Sequence, residues 1–264
     1  MPEEAVHQVA MTPYEIIATI LAAIALIQPW IIAAWKKFFK PLKVTFIPSA
    51  KIKLYYNRSG AYIYLGGVIE AKNRPAVIKN ISAKVIRQSD KAELAMDWLS
   101  FMVPVFQSVG GNSVTTSEIA RPFLIGANGL NPIFVEFANS DTQMLDRLSK
   151  IYEKLTLESK RISNMSTPFE QAKNQLQALP EYQTFREELL ENFYWKASDY
   201  QVELSISHGD NEAEIYKYWF SLGQDEISKF RKNIDEAMLY DLKTFYYQPV
   251  NLSIFQKDFV ASEG

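Results

Sequence analysis

The sequence predicts a mainly β protein, an antiparallel β-sandwich interrupted by a helical insertion and carried on one N-terminal transmembrane helix. Three observations predict it. Residues 16–35 (IIATILAAIALIQPWIIAAW) contain no charged side chain. Between residues 44 and 138, short runs rich in β-branched and aromatic residues are separated by Gly, Pro and Asn signals, the spacing of a sandwich. From residue 141 the apolar residues switch to helical spacing before strand-like alternation returns at residue 199.

The apolar run comes first. A helix rises about 1.5 Å per residue, so a run of this length covers the roughly 30 Å hydrocarbon core of a bilayer. It is apolar all round, whereas a soluble core helix has a polar face. Pro29 is costly inside a soluble helix and better tolerated in a membrane. Ile16, Pro29, Trp30 and Trp35 mark the expected span, with Tyr14 and the two tryptophans at the headgroup levels.

Glu3, Glu4 and Glu15 precede the run without a single Lys or Arg, and Lys36, Lys37, Lys40 and Lys43 follow it. The positive-inside bias then places the N-terminus outside and the C-terminal domain in the cytoplasm, at the inner membrane if the source is bacterial. A cleaved signal peptide needs a basic n-region, absent here, and an apolar core of about 7–15 residues, shorter than this one. The expected organisation is a tail at 1–13, a transmembrane helix at 14–36, a basic juxtamembrane segment at 37–43 and a soluble domain at 44–264. The lysines serve as the topology signal and as headgroup contacts, so the bilayer is the first expected partner.

Composition narrows the rest. The formal net charge is -2 and the pI near 5.9, which gives no nucleic-acid footprint. Aromatic residues make up 13% of the chain, enough to favour a packed β-rich core over disorder. There is no cysteine, which excludes disulfides, thiolate catalysis and cysteine metal sites.

Along the chain, residues 44–47 form a first short strand, and 51–57 (KIKLYYN) alternate like a half-buried one. After the turn signal Asn57-Arg58-Ser59-Gly60 comes 61–71, whose Gly66-Gly67 implies a bulge or a close backbone approach. It is no phosphate loop, lacking the helix start and the Lys-Ser/Thr. Strands follow at 76–88 and 93–103, then a flexible loop at Gly110-Gly111-Asn112. Residues 121–125 and 133–138 read as the two arms of a hairpin.

Residues 141–195 read as a helical hairpin, starting from Ser140 or Asp141 as N-cap. Met144, Leu148, Ile151 and Leu155 form its first stripe, widened by Leu145 and Tyr152, and Phe169, Ala172, Leu176 and Leu179 form a second. Pro180 breaks or kinks it before Tyr182, Phe185, Leu189 and Phe193. Strands resume at 199–207 and 214–222, a C-terminal helix occupies 224–240, and 250–255 is a last edge strand before a frayed end at 260–264.

Asp199-Tyr200 opening an alternating strand, with a hairpin into Tyr216, Trp219 and Phe220, resembles the last two strands of an immunoglobulin-like sandwich. The resemblance covers strand pattern over 44–138 and 197–222. It implies two packed sheets and a tyrosine packed at a sheet corner, and it carries no functional residues. The general arrangement is similar to bacterial proteins that carry one N-terminal helix and a cytosolic β-rich domain.

The chemistry available is limited. His7 and His208 are the only histidines, and His7 belongs to the tail, so a His-based triad or His-rich metal site in the domain has no second member. His208 reads as a turn residue. Glu136, Asp141, Asp146, Asp199 and Asp210 are candidates for carboxylate chemistry by residue type alone, and each reads first as a cap or a solvated charge. The stretch from His208 to Glu212 lacks the spacing of a calcium loop. No catalytic residue, cofactor or metal is assigned.

Tyr55, Tyr56, Tyr62, Tyr64, Trp98, Tyr216, Tyr218 and Trp219 are the strongest functional feature, because half of such a set should leave the core and form an aromatic contact surface. The expected function is therefore a single-pass, non-enzymatic binding, adaptor or sensor module with an unknown protein partner, open to homo-oligomer formation through the helical pair. The competing readings are a membrane-tethered carboxylate-dependent hydrolase and an exported envelope protein of reversed topology. For the latter there are four sequon triplets beginning at Asn57, Asn80, Asn164 and Asn251.

Overall fold

The computed structural model describes residues 12–103, 108–109, 112–113, 116–139, 141–209 and 213–261. The tail with Glu3, Glu4 and His7, the loop glycines 110 and 111, Ser140 and residues 210–212 lie outside the described residues, as do the side chains of Lys36 and Lys37. In chain order the elements are α1 (Pro13–Phe39), β1 (Lys43–Asn57), β2 (Gly60–Lys72), β3 (Ala76–Arg87), β4 (Glu93–Val103), β5 (Ser108–Val109), β6 (Asn112–Ser113), β7 (Thr116–Ile119), β8 (Phe123–Ile125) and β9 (Gly129–Asn139). Then come α2 (Thr142–Ser163), α3 (Phe169–Gln177), α4 (Pro180–Glu191), β10 (Ser198–His208), β11 (Glu214–Leu222), α5 (Gln224–Met238), α6 (Tyr240–Phe245), β12 (Phe255–Asp258) and β13 (Val260–Ala261).

Helix α1 starts on a reciprocal cap. The Glu15 amide donates to Thr12 Oγ1 at 3.4 Å and the Thr12 amide donates to Glu15 Oε2 at 2.7 Å, with Pro13 in the first turn. Within Pro13–Trp35 an 18-residue stretch has a mean hydropathy of 2.3, and none of the residues is buried against the rest of the protein. This helix is long and apolar enough to cross a membrane. Ile16, Trp30 and Trp35 are all exposed, and Pro29 sits inside the helix.

The strands do not divide into the two sheets of an immunoglobulin-like sandwich. Apart from β5 and β6, which pair only with each other, they form one eleven-stranded sheet in the order β12-β1-β2-β9-β4-β3-β10-β11-β13, with β7 and β8 paired to β4 and β3. All its pairings are antiparallel. The sheet curls until its edges almost meet, which makes the architecture nearly a barrel. Tyr216 on β11 donates its hydroxyl to the Val44 carbonyl on β1 at 2.8 Å, across a gap that no backbone ladder fills. Strands β12 and β13 lie on opposite edges of the sheet and are separated only by the buried Phe259, so the C-terminal segment steps from one edge to the other. This corrects the last strand expected at 250–255 and, for residues 260–261, the fraying expected at 260–264; residues 262–264 lie outside the described residues. The segment's own sequence is too short and polar to read as a strand, and its partners are supplied by the two edges.

Four further expectations change. The strands expected at 44–47 and 51–57 are one strand, β1, whose register with β2 slips between Pro48 and Ile52. Proline has no amide to donate, and Ala50 takes φ 61°, so the extra residues bulge out of the ladder. Residues 121–125 and 133–138 are not hairpin partners: β8 pairs with β3, while β9 lies between β2 and β4. The helical hairpin is three helices, because Pro180 begins α4 in its first turn, where a missing amide costs nothing. The C-terminal helix also divides at Leu239 into α5 and α6.

Alternation along the strands sends Ile52, Leu54, Ile63, Leu65, Val85, Val202 and Leu204 to the concave face, where helical side chains close over them. Trp195 is fully buried there, its ring 5.4 Å from Tyr200, 6.2 Å from Phe220 and 6.1 Å from Phe230. The corner tyrosine implied by the sequence resemblance is present locally. Tyr200 donates to the Lys196 carbonyl and accepts from the Lys196 amide, both at 2.7 Å. A local corner of this kind needs one turn and one strand, so it does not require a two-sheet fold.

Candidate functional site

The aromatic set divides by strand parity. Tyr56, Tyr218 and Trp98 point into the core, whereas Tyr55, Tyr62 and Tyr64 lie half-buried on the convex face and Trp219 is 36% exposed. Register explains the grouping on the convex face: Tyr55 pairs with Tyr62 across β1 and β2, and Tyr64 pairs with Glu136 across β2 and β9. The Tyr55 ring stacks between its two neighbours, 4.6 Å from Tyr62 and 5.2 Å from Tyr64.

Glu136 closes this cluster from below. Tyr55 donates its hydroxyl to Glu136 Oε1 at 2.6 Å, and Ser100 donates to Oε2 at 2.8 Å. Tyr64 in turn donates to the Tyr55 oxygen at 3.2 Å. The carboxylate is 9% exposed, so these hydroxyls replace much of the water it has lost. Burial, then the bond to Glu136, pushes the Tyr55 phenol far above its usual range. Burial likewise pushes Tyr64 up to about 12. The phenols therefore stay protonated as donors at neutral pH.

Ser100 was not legible as a member. The β4–β9 register slips between Trp98 and Ser100, which turns Ser100 onto the Glu136 face and returns Phe101 toward Trp98. Alternation counted from Trp98 would instead place Ser100 inside.

The other candidate carboxylates do not join Glu136. Asp141 is the N-cap of α2, accepting from the Met144 amide at 2.9 Å. Asp146 is exposed on α2, and Asp199 accepts from Ser221 Oγ at 2.5 Å. Asp210 lies outside the described residues. Among the described residues no group of three or more His, Asp or Glu could hold a metal ion. His208 is corrected from turn residue to buried strand end. It is 2% exposed at the close of β10, its ring nitrogens have no hydrogen-bond partner among the described residues, and Nε2 is 3.9 Å from Glu214.

Two other polar clusters hold the helices to the far end of the sheet. Arg58, in the β1–β2 turn, stacks 4.1 Å over the Tyr152 ring and 5.0 Å from that of Tyr240. Beneath it Asp241 accepts from Thr156 Oγ1 at 2.6 Å and from the Tyr152 hydroxyl. Buried Arg87 donates Nε and Nη2 to Asp90 at 2.7 and 2.8 Å and Nη1 to the Tyr194 carbonyl. That guanidinium holds the Asp90 carboxyl well below its usual range. A cleft of about 500 Å³ opens beside it, lined by Arg87, Glu93, Asn139, Asp141, Glu191 and Lys196 among others. Its mixed charges single out no one ligand chemistry.

No family model matches the chain, and no curated protein matches it. Among solved structures, a family 123 glycoside hydrolase from Clostridium perfringens, studied for glycolipid glycan hydrolysis, is similar at 8% identity and a TM-score of 0.30. The match covers 69% of this chain and 28% of that structure. The chain thus spans little more than a quarter of it, and a TM-score so low does not make the two folds the same.

Proposed function

We propose that this chain is a single-pass, membrane-anchored binding module without catalytic activity. Helix α1 spans the bilayer with the N-terminus outside, and the curled sheet faces the cytoplasm to engage a protein partner. The observation that carries the anchor is the unburied apolar surface of α1 over Pro13–Trp35, for which the folded domain supplies no cover. The orientation rests on the lysines after the helix, of which Lys40 and Lys43 are exposed beside its end. The binding role is supported by the Tyr55, Tyr62 and Tyr64 stack, half-exposed aromatic rings beside a hydrogen-bonded carboxylate, a combination suited to an amphipathic contact.

The test uses the absence of native cysteine. Single cysteines at Glu4 and Ser262 are exposed to a membrane-impermeant maleimide in intact cells. Labelling at 4 and not at 262 is the expected result. Labelling at 262 and not at 4 overturns the orientation and moves the partner search to the envelope or the cell exterior. Release of the protein by alkaline carbonate overturns the anchor itself.

A further inference from the structure

The end of the sheet that joins α1 is pinned close to the helix. Asn73, in the β2–β3 turn, donates Nδ2 to the Pro41 carbonyl at 2.9 Å, and its amide donates to Asn128 Oδ1 at 3.0 Å. Both asparagines take left-handed conformations, φ 69° and 56°, as tight turns need. The turn before β9 is therefore two hydrogen bonds from Pro41, the second residue after the helix.

That end carries apolar side chains the fold does not cover. Val77 and Leu124 are register partners on β3 and β8, and Leu130 follows just past the adjoining turn at the start of β9. They are 44%, 68% and 64% exposed. Beside them the charge is mainly positive. Lys40 and Lys43 are exposed, and Lys43 lies directly opposite Lys72 across β1 and β2, an unfavourable pairing that Glu70, 3.1 Å from Lys72, offsets only in part. Uncovered leucines next to lysines, a few residues from an apolar helix, match the boundary between headgroups and acyl chains.

We infer that the rim made by Val77, Leu124 and Leu130 rests in the headgroup layer of the membrane that α1 spans, held there by anionic lipid around Lys40, Lys43 and Lys72. This rests on α1 being a membrane span and adds a second contact, which sets the tilt of the sheet domain and turns the helical end away from the bilayer. Helix α4 belongs to that far end, since Tyr56 at the distal end of β1 donates to the Leu189 carbonyl at 3.0 Å.

The experiment uses the full chain in phosphatidylcholine vesicles with and without phosphatidylglycerol. Single cysteines at Leu124, Leu130, Thr184 and Ile24 carry an environment-sensitive fluorophore, with nitroxide lipids as quenchers. Leu124→Cys and Leu130→Cys should be quenched several-fold more than Thr184→Cys by a headgroup nitroxide. Omitting phosphatidylglycerol should reduce that quenching about twofold. Ile24→Cys should respond to an acyl-chain nitroxide in both vesicles. If Ile24 is quenched while 124 and 130 behave like 184, the anchor stands and the rim contact is overturned. If Ile24 is not quenched, the anchor reading fails and the rim contact with it. Emission at 124 that shifts to the blue with protein concentration, without lipid quenching, assigns the patch to a second copy of the chain and overturns the proposal.

Discussion

Phe259 stacks on Tyr218 with ring centroids 4.5 Å apart and planes 27° from parallel, and its own amide donates to the Ala50 carbonyl at 3.0 Å. One residue thus touches strands near both edges of the sheet, β11 through its ring and β1 through its backbone. It is 3% exposed. Replacing Phe259 with alanine should cost about 3–5 kcal/mol, the range for truncating a buried phenylalanine. Urea unfolding of the full chain in detergent measures this. A loss under about 1 kcal/mol would mean that the closing segment does not hold the two edges together.

Gly67 separates a tolerated methyl from an intolerable one. A Cβ there would fall 2.4 Å from Phe46 Cε2 and 2.6 Å from the Ile47 carbonyl, and backbone cannot swing away. At Gly66 a Cβ meets Phe134 at 2.9 Å, but that ring is 46% exposed and free to rotate outward. Gly67→Ala should destabilise by about 1–3 kcal/mol or prevent folding, and Gly66→Ala should cost clearly less. Equal melting midpoints for the two variants would refute the close approach.

Tyr55→Phe removes the donor to Glu136 Oε1 and the acceptor for Tyr64 together. A carboxylate at 9% exposure is then left with Ser100 alone, a loss of about 1–3 kcal/mol. Tyr64→Phe deprives only a phenol oxygen and should cost under about 1 kcal/mol. If Tyr55→Phe also abolishes partner binding while Tyr62→Ala and Tyr64→Ala leave it unchanged, the aromatic face is not the contact surface.

Stability should fall at both ends of the pH scale for named reasons. Burial pushes Tyr64, Tyr152 and Tyr216 each up to about 12. A raised folded value favours the protonated phenol in the native state. This contribution is complete below the unfolded value near 10 and is lost as pH rises from there toward about 12. Tyrosinate absorbance should appear later in the folded chain than in urea. At the acid end Asp90 is lowered, first by its hydrogen bonds to Arg87. Its contribution is present above the ordinary carboxyl value of 3.8 and disappears as pH falls below it. Asp90→Asn should flatten the acid limb of a stability profile. An unchanged limb would show that Arg87 does not depend on Asp90.

Much of the layout is legible locally because strands and amphipathic helices repeat at fixed periods. The alternation of Tyr200, Val202, Leu204 and Ile206 places β10 correctly, and the stripe of Met144, Leu148 and Leu155 places α2. The candidate site was half legible. Tyr55, Tyr62, Tyr64 and Glu136 were each identifiable by type, but Ser100 reaches them through a register slip that changes strand parity without changing composition. His208 reads as a turn residue from its glycine and aspartate neighbours, yet β3 extends alongside it and buries it, pairing it with Ile78.

The sequence by itself determined the anchor candidate, the β-rich composition, the position of the helical insertion and the absence of cysteine chemistry. Each is a property of residues close together in the chain. Only the tertiary structure decided that eleven of the strands form one sheet, that β8 leaves β9 for β3, and that residues 255–261 close the curl. Strand pairing joins backbone groups that are alike in every residue except proline, so local sequence says little about which strands meet. The choice is made by the side chains that fit at each crossing, here Phe46 over Gly67, Tyr216 against Val44 and Phe259 on Tyr218.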